Sequence, residues 1–237
     1  MSAQVAVIPA NIPDPGHDCP LCPRLADFRA ENRAMAPEWF NAPVPTFGDP
    51  EARLLIVGLA PGLKGANRTG RPFTGDYAGD LLYATLDKFG FSTGTYRADP
   101  DDGLALTGAA ITNAVRCVPP QNKPLPMEIR TCLPFLSATM DAHPKLAAIL
   151  ALGKIAHDAT IVALGDRPAR HKFAHGTVHQ LPDAPRLYDS YHCSRYNTNT
   201  GRLTAEMFES VFKRIVGDLG TSALTKTSAH SRESGNP

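Results

Sequence analysis

Five cysteines are the residues whose type and spacing most directly suggest a chemical role. Cys19 and Cys22 form a CxxC pair, Cys117 and Cys132 form a wider pair, and Cys193 stands apart. The sequence shows no secretion signal, so we do not expect a disulfide framework. Zinc sites typically combine two short CxxC pairs, and the wide second pair is therefore less typical of zinc. Spacing alone leaves three alternatives open: an iron–sulfur cluster, a structural zinc ion or four unrelated buried thiols.

A glycine-rich stretch at 58–76, GLAPGLKGANRTGRPFTGD, follows the apolar run 54–57 and holds little that a core would need. Five of its 19 residues are glycine, so the backbone can approach a ligand closely. Lys64, Arg68 and Arg71 bring positive charge to the same segment. Neither the Walker pattern nor GxGxxG occurs in it, which argues against a plain nucleotide site. We interpret the stretch as a functional loop.

Short apolar runs alternate with helix-like segments along the chain. Strands are predicted near 53–58, 108–114, 146–152 and 187–192, because each run is nearly continuous in apolar residues. Helices are predicted at 78–89, 126–140, 154–164 and 204–216. This alternation predicts an α/β fold: a three-layer α/β/α sandwich around a short parallel sheet, with ligands bound at the carboxyl ends of the strands. The glycine-rich loop, Asn113 and His192 all fall at such ends.

Length and composition are those of an ordinary globular chain. We predict a single domain over 17–218 of the 237 residues, flanked by mobile segments at 1–16 and 219–237 that lack apolar periodicity. The formal net charge is +1, so any contact with nucleic acid must come from local clusters of charge. Apolar runs such as 146–153 are too short to span a bilayer, and we expect a cytoplasmic protein.

Four motifs carry a resemblance to a known family: the glycine-rich loop, ITNAVRCVPP at 111–120, SYHCSR at 190–195 and the two cysteine pairs. Together they resemble the uracil-DNA glycosylase superfamily over roughly residues 17 to 216. The GLAPG opening and the later NTNTGRLT run are more similar to family 5, or type B, than to family 4, which has an acidic residue at the position of Leu59. The resemblance implies a monofunctional DNA-repair hydrolase that excises uracil, with hypoxanthine and other deaminated bases as further candidates, and leaves an abasic site.

The resemblance also resolves the alternatives for the cysteines. It implies a structural 4Fe-4S cluster on Cys19, Cys22, Cys117 and Cys132, which would fasten the N-terminal part and the 115–132 loop to the body of the protein. Cys193 is not expected to be a ligand. It stands where many relatives carry proline, which leaves the geometry of that turn open.

Base excision requires a pocket for a flipped base, a reader of its edge and stabilisation of negative charge on the departing base. By the resemblance, Phe73 stacks on the uracil, Asn113 reads its N3–H and O4 edge, and His192 donates to O2. Each residue also has a structural alternative: a core ring, a strand-end turn residue, and an ordinary histidine among the eight in the chain. The predicted substrate site is completed by the start of the glycine-rich loop, at Gly58, Leu59 and Ala60.

The attacking water needs a partner that Leu59 cannot supply, because an aliphatic group neither orients nor deprotonates water. Either another group acts, or the reaction is more dissociative and the sugar cation develops before water attacks. Asp76 is the only acidic residue of the glycine-rich loop and our first candidate, with the alternative of capping the helix that begins near Ala78. Asn67 could hold a water without acting as a base.

DNA contacts are predicted from exposed polar and basic residues of the two loops. They are Lys64, Arg68, Arg71, Ser194, Arg195, Tyr196 and Arg202. The alternative is a pair of solvated loops. We expect a monomer that acts on DNA containing uracil or other deaminated bases, away from membranes. Two other functions stay open: a noncatalytic iron–sulfur nucleic-acid-binding protein of the same fold, and an α/β enzyme that binds a small nucleotide in the glycine-rich loop.

Overall fold

A computed structural model describes residues 14–220, so predictions about residues 1–13 and 221–237 lie outside the described residues. The strands are β1 (Phe47–Gly48), β2 (Leu54–Gly58), β3 (Ser92–Thr93), β4 (Ala105–Leu106), β5 (Ala109–Asn113), β6 (Ala148–Leu152), β7 (Val178–His179) and β8 (Arg186–Ser190). The α-helices are α1 (Pro23–Met35), α2 (Ala66–Thr69), α3 (Tyr77–Lys88), α4 (Pro126–Asp141), α5 (Lys154–Ala163), α6 (Arg195–Asn199) and α7 (Ala205–Leu219).

The central sheet has the strand order β1-β5-β2-β6-β8-β7. Its four inner strands are parallel and buried, and they are the four strands that the apolar runs predict. The edge strands β1 and β7 pair antiparallel, and β3 and β4 form a separate hairpin. Each of these is only two residues long, too short to produce a recognisable sequence pattern. Because β2 lies between β5 and β6, the winding of the chain reverses beside it, which opens a crevice at the carboxyl end of the sheet.

Successive residues of an inner strand face opposite helix layers, as the two-residue period of a strand requires. Leu54 and Ile56 of β2 pack in one apolar cluster with residues of α3 and α7. Leu55 and Val57 pack in the other with residues of α4 and α5. The predicted three-layer α/β/α sandwich is thereby confirmed. Within residues 14–220, no helix is long and apolar enough to cross a membrane.

The N-terminal part differs most from the sequence prediction. The pattern does not predict α1, because its buried face carries Arg29 and Asn32 beside Leu25 instead of an apolar stripe. Asp14 lies in the segment predicted to be mobile, yet its carboxylate accepts the backbone N–H of Thr46 at 3.0 Å and pairs with the buried guanidinium of Arg116. These contacts attach the residues just before the first cysteine to the body of the domain.

Candidate active site

A pocket of about 510 Å³ opens where the chain leaves β2, β5 and β8. Its walls include Leu59, Ala60, Phe73, Asp76, Asn113 and His192. The carboxyl ends of three parallel strands thus bring together three sequence segments that lie far apart along the chain. This is the location that the strand-end rule for open α/β sheets predicts.

Gly58 lies behind this wall, not in it. A Cβ atom at Gly58 would fall 2.4 Å from Oδ1 of Asn113 and 2.8 Å from Cζ of Phe73. Only a residue without a side chain allows the amide and the ring to approach each other this closely over the end of β2. Gly58 was predicted to bind substrate; the structure gives it the role of letting two pocket residues meet.

Phe73 combines burial with a strained backbone. The side chain is 7% exposed and packs in the core cluster next to α3, while its ring also lines the pocket. Its φ of 52° lies in the left-handed region, which is unfavourable for a bulky residue and persists only where the surroundings enforce it. The ring stacks on the imidazole of His192, with 5.7 Å between centroids and 28° between planes.

His192 is neutral at physiological pH. Burial lowers the pKa of its imidazole to about 4, and no carboxylate opposes that effect. Among residues 14–220, no protein group forms a hydrogen bond with either ring nitrogen, whereas the backbone carbonyl of His192 accepts from Nδ2 of Asn197 at 2.8 Å. The local chain is therefore held in place while the ring keeps its N–H free for a ligand.

Asn113 is the last residue of β5 and is only 3% exposed. Its side-chain amide has no hydrogen-bond partner among the described residues, although buried amides are normally paired. The amide therefore presents one acceptor oxygen and two donor hydrogens to the pocket. Such a pattern can read a ring N–H together with an adjacent carbonyl.

Asp76 lines the pocket and also caps α3, since the N–H of Ala78 donates to its Oδ1 at 3.1 Å. Burial raises the pKa of this carboxyl group. A Cβ at Gly65 would lie 2.4 Å from Oδ2 of Asp76, so the glycine-rich loop folds directly against the carboxylate. The capping role and the position in the pocket coexist, because one oxygen can cap while the other remains available.

Asn67 does not share this position. Its side chain is 1% exposed, its Nδ2 donates to Oδ1 of Asn41 at 2.9 Å, and it is not among the residues that line the pocket. The structure therefore does not support the prediction that Asn67 holds the attacking water. Asp76 is the one carboxylate among the described lining residues.

Five of the predicted DNA contacts lie exposed or at the rim of the pocket. Ser194 accepts from the N–H of Asn197 at 3.4 Å and so caps α6. Its neighbour Arg195 lines the pocket rim, and its guanidinium lies 5.2 Å from the ring centroid of Tyr77. Tyr196 is 71% exposed, which is unusual for so large a ring. Lys64 and Arg68 are likewise exposed on the glycine-rich loop.

The other two predicted DNA contacts differ from each other in exposure. Arg202 is exposed, and its guanidinium lies 4.6 Å from the ring centroid of Tyr191, which orients it beside the His192 segment. Arg71, in contrast, is only 4% exposed and forms a bidentate ion pair with Asp102, with both N···O distances 2.8 Å. A guanidinium buried in this way cannot reach a phosphate. The prediction that Arg71 contacts DNA is therefore wrong.

The structure adds pocket residues that the sequence pattern does not indicate. Asn122 lines the pocket from the loop between β5 and α4, and both Gln121 and Asn122 have φ of 56°. Tyr77 lines it from the first turn of α3. The only sequence signal for Asn122 is its position shortly after the ITNAVRCVPP motif.

The four paired cysteines converge as predicted. Cys19, Cys22, Cys117 and Cys132 line one small pocket beside α1 and α4, and none forms a disulfide. Burial and, to a smaller extent, the neighbouring thiols raise the pKa of Cys22 to about 11 and that of Cys117 to about 12. Cys193 is fully buried in the main core and does not line that small pocket.

A second group of ionisable side chains lies beneath β8. Nδ1 of His157 and Nε2 of His179 lie 2.7 and 2.9 Å from the two carboxylate oxygens of Asp189. Nε2 of His157 also lies 2.9 Å from the carbonyl oxygen of His171. Both nitrogens of His157 face oxygen acceptors, an arrangement that favours the protonated ring, and the pKa of His157 is raised because the hydrogen bond and charge of Asp189 outweigh burial. These hydrogen bonds close the group upon itself and involve Asp189 of β8, the strand that precedes His192.

Comparison with known proteins agrees with the motif evidence. A family model described as the uracil DNA glycosylase superfamily matches residues 45–216. The chain is 47% identical over 207 residues to a type-5 uracil-DNA glycosylase of Thermus thermophilus, covering 84% of this chain and 94% of the relative. It is 42% identical over 203 residues to a type-5 enzyme of Mycobacterium bovis, covering 82% of this chain and 76% of the relative. A third type-5 relative, from Pyrobaculum aerophilum, is 39% identical over 208 residues, with coverage of 86% and 90%.

Proposed function

The chain belongs to the uracil-DNA glycosylase superfamily, and we propose that it uses the pocket at the ends of β2, β5 and β8 to excise uracil from DNA as a type-5 enzyme. One arrangement carries this proposal. A stacking ring at Phe73, an unpaired amide at Asn113 and a neutral imidazole at His192 all line the same pocket. Together they provide a ring that can stack on one flipped base, an amide that can recognise its edge and an N–H group that can donate to it.

Recognition of the base falls to Phe73 and Asn113. The Asn113 amide accepts from the ring N–H and donates to the adjacent carbonyl, while the Phe73 ring covers one face of the base. Hypoxanthine and xanthine present the same N–H beside a carbonyl, and we include them among the candidate substrates.

His192 supplies the stabilisation of the departing base. As the N-glycosidic bond breaks, negative charge develops on the carbonyl O2, and a fixed N–H donor in a water-poor site stabilises that charge. With a pKa near 4, the ring acts as a neutral donor and does not transfer its proton as an acid at physiological pH. The energetic contribution comes from preorganisation: the Asn197 hydrogen bond to the backbone and the Phe73 stack already fix the ring.

Asp76 is our candidate for positioning the attacking water and stabilising positive charge on the sugar. It lines the pocket from the side of the glycine-rich loop, at the start of α3. A carboxylate held beside a developing cation acts electrostatically as well as by orienting water. No lysine is among the described residues that line the pocket, so no Schiff base with the sugar forms there and the abasic site remains intact.

The duplex is held by residues around the pocket mouth. Lys64, Arg68, Arg195 and Arg202 supply positive charge to the phosphates, and exposed Tyr196 supplies a ring that can occupy the space left by the flipped base. Because the formal net charge of the chain is only +1, the attraction to DNA has to come from such local basic residues. A monomer suffices for such an interface.

We further propose a structural 4Fe-4S cluster on Cys19, Cys22, Cys117 and Cys132. Four free thiols line one pocket, and N–H groups of Arg29 and Arg116 lie 3.6 and 3.4 Å from the sulfurs of Cys117 and Cys132, where they would stabilise thiolates. A cluster bound to these four cysteines would cross-link α1, α4 and the 115–132 loop.

The spacing of the four sulfurs favours a cluster over a single zinc ion. Tetrahedral zinc with bonds of about 2.3 Å requires sulfurs roughly 3.8 Å apart. Within residues 14–220, the ligand atoms of His157, His179 and Asp189 all lie within 4.8 Å of one another. No three of the cysteine sulfurs in that part of the chain meet this limit. A multinuclear cluster places its ligands farther apart than one ion does.

The decisive experiment is a glycosylase assay. Purified protein is incubated with matched duplexes that contain uracil, hypoxanthine, xanthine or only normal bases, and abasic sites are cleaved with alkali. We expect alkali-dependent cleavage of the uracil duplex and none of the normal duplex. Binding to the uracil duplex without base release would instead favour the noncatalytic alternative. Strand breaks without alkali, or a covalent complex trapped by borohydride, would contradict a monofunctional reaction.

A further inference from the structure

Arg71 and Asp102 form a buried ion pair next to the predicted base-binding site. Their side chains are 5% and 0% exposed, and each nitrogen of the guanidinium fork lies 2.8 Å from a separate carboxylate oxygen. Asp102 also accepts the backbone N–H groups of Arg97 and Leu104 at 2.8 and 3.0 Å. The carboxylate thus accepts four hydrogen bonds, and those from Arg71 hold the pKa of Asp102 well below its usual range.

An aromatic cage surrounds the guanidinium of Arg71. Its Cζ lies 5.3 Å from the ring centroid of Phe47, 5.5 Å from that of Tyr83 and 5.7 Å from that of Tyr96. The two tyrosine rings stack on each other with centroids 4.5 Å apart. Cation–π contacts with three rings fix the arginine in one orientation, and the arginine in turn fixes the two tyrosines.

Each hydroxyl in this assembly is directed at the backbone around Phe73. The Tyr83 hydroxyl donates to the carbonyl of Pro72 at 2.7 Å, and the Tyr96 hydroxyl donates to the carbonyl of Phe73 at 3.2 Å. Nε of Arg71 donates to Oγ1 of Thr74 at 2.7 Å. Three hydrogen bonds therefore hold the tripeptide at 72–74 from one side.

The backbone of α3 also packs against this tripeptide. A Cβ at Gly79 would lie 1.9 Å from the carbonyl oxygen of Phe73, so the helix backbone packs directly against it. Without such restraints, a phenylalanine would leave the left-handed region for an ordinary conformation. That change would rotate the ring away from His192.

We propose that Arg71 and Asp102 are positioning residues that hold Phe73 in its strained conformation, so that its ring is ready to stack on the flipped base. The inference rests on the proposed function. A buried ion pair contributes little net stability compared with apolar residues of similar size, whereas it does impose one specific geometry. Its location around the strained phenylalanine of the pocket wall explains what that geometry is for. The β3–β4 hairpin and its connecting loop, which carries Tyr96 and Asp102, thereby gain a function: they support the pocket from outside.

The test distinguishes stacking on the flipped base from all other contacts between the protein and the duplex. Equilibrium binding is measured for two duplexes, one with an uncleavable 2′-fluoro analogue of deoxyuridine and one with a tetrahydrofuran abasic analogue. Phe73→Ala should weaken binding to the first about tenfold, the scale of one base–aromatic stack, and leave the second unchanged. Asp102→Asn and Tyr96→Phe should reproduce this selective loss in whole or in part. Tyr188→Phe is the matched control, since its hydroxyl bonds Asp218 at 2.8 Å at the far end of the sheet.

Coupling between variants is the sharpest readout. In a Phe73→Ala background, Asp102→Asn and Tyr96→Phe should cause no further loss of binding, because there is no ring left to position. Additive losses, or equal weakening of both duplexes, would show that the pair serves general stability and would overturn the inference. Arg71→Lys keeps the charge but not the fork, and should behave like Asp102→Asn.

Two safeguards keep the test decisive. If Asp102→Asn does not yield folded protein, Tyr96→Phe alone carries the coupling measurement, because it removes a single hydroxyl. A wild-type protein that fails to release uracil in the glycosylase assay would count against the proposed function. A wild-type protein that releases uracil, but shows no coupling between Phe73 and Tyr96, would count only against the positioning role.

Discussion

The ring of Phe73 stacks on the imidazole of His192 at 5.7 Å between centroids, so the group that would bind the base and the group that would stabilise its departure are in contact before any substrate arrives. This contact has an electrostatic consequence. A carboxylate beside a histidine favours the cationic ring and raises its pKa, whereas burial against an apolar ring favours the neutral form and lowers the pKa. His192 and His157 illustrate the two cases, because His157 pairs with Asp189 and has a raised pKa.

The first prediction concerns the pocket amide and imidazole. Asn113→Ala and His192→Ala should each lower the single-turnover rate on a uracil duplex by roughly 10² or more, the usual scale for a hydrogen bond that strengthens in the transition state. Both variants should fold, because neither side chain has a protein hydrogen-bond partner among the described residues. A near-wild-type rate in either variant, with its metal content intact, would show that the pocket residues are wrongly assigned.

The second prediction concerns pH and His192. Because its pKa is lowered to about 4, the imidazole should not titrate between pH 6 and 8, and the single-turnover rate should show no step near 6.5, the ordinary histidine pKa. Below pH 6.5 the unfolded chain protonates this ring and the folded protein does not, so stability falls as pH decreases from 6.5 towards 4.

His192→Gln removes this titration and provides the comparison. Thermal melts of the wild type and the variant should show a difference in Tm that shifts in favour of the variant as the pH is lowered from 7 to 4. His157 titrates in both proteins and cancels in the difference. A constant difference across that range would mean that His192 has the same pKa in the folded and unfolded states and is not shifted by burial.

The third prediction concerns the buried pair of His157 and Asp189. Burial lowers the pKa of His157, but the hydrogen bond and charge of Asp189 outweigh it and leave the pKa raised. A raised histidine pKa adds stability that is complete below about pH 6.5 and is lost as pH rises through the folded pKa. His157→Gln should therefore destabilise the protein most at acidic pH and progressively less at alkaline pH. Urea unfolding at pH 6 and pH 9 measures this, and an equal loss at both values would contradict it.

The sequence predicts the inner sheet of this fold well, because each of its strands is buried on both faces and is therefore nearly continuous in apolar residues. The same logic finds the strand-end residues Asn113 and His192. It fails for α1, whose buried side chains include Arg29 and Asn32, polar residues that look exposed in any sequence pattern.

Arg71 shows why charge alone is a poor guide to a binding surface. Its partner Asp102 lies 31 residues away in the chain, and nothing local indicates that the two meet. The same distance hides the role of Tyr96, which reaches the backbone of Phe73 across 23 residues. Basic residues of a glycine-rich loop can serve the loop's own structure as well as a ligand, and only the folded chain distinguishes the two.

The fourth prediction concerns the cysteines. Purified protein should be brown with broad visible absorbance, and Cys22→Ser should lower iron content and soluble yield together, because Cys22 lines the pocket shared by the four thiols. Cys193→Ala is the control: this thiol is fully buried in the main core, away from the pocket that the four thiols share, and iron content should not change. Colourless protein with one zinc ion per chain would contradict the cluster.

The last prediction distinguishes Asp76 from Asn67 as the group that positions the attacking water. Asp76 lines the pocket, so Asp76→Asn should slow the chemical step in single-turnover experiments while binding of the duplex persists. Because the amide keeps an acceptor oxygen, it can still accept from the N–H of Ala78 and cap α3, and a loss of rate would report on the charge. Asn67→Ala should have a smaller effect on the rate, since its side chain bonds Asn41 behind the pocket wall.

One feature of Asn67 nevertheless supports the alternative that it holds the attacking water in place of Asp76. Its Oδ1 is buried and has no hydrogen-bond partner among the described residues, so a water bound there could extend towards the pocket. In that case Asn67→Ala would be the more damaging change, and the rate would depend little on pH between about 6 and 9 because no group titrating there would be required. Equal and small effects of both changes would exclude both residues. The reaction would then be largely dissociative, with the sugar cation forming before water attacks and with His192 and Asn113 supplying most of the stabilisation.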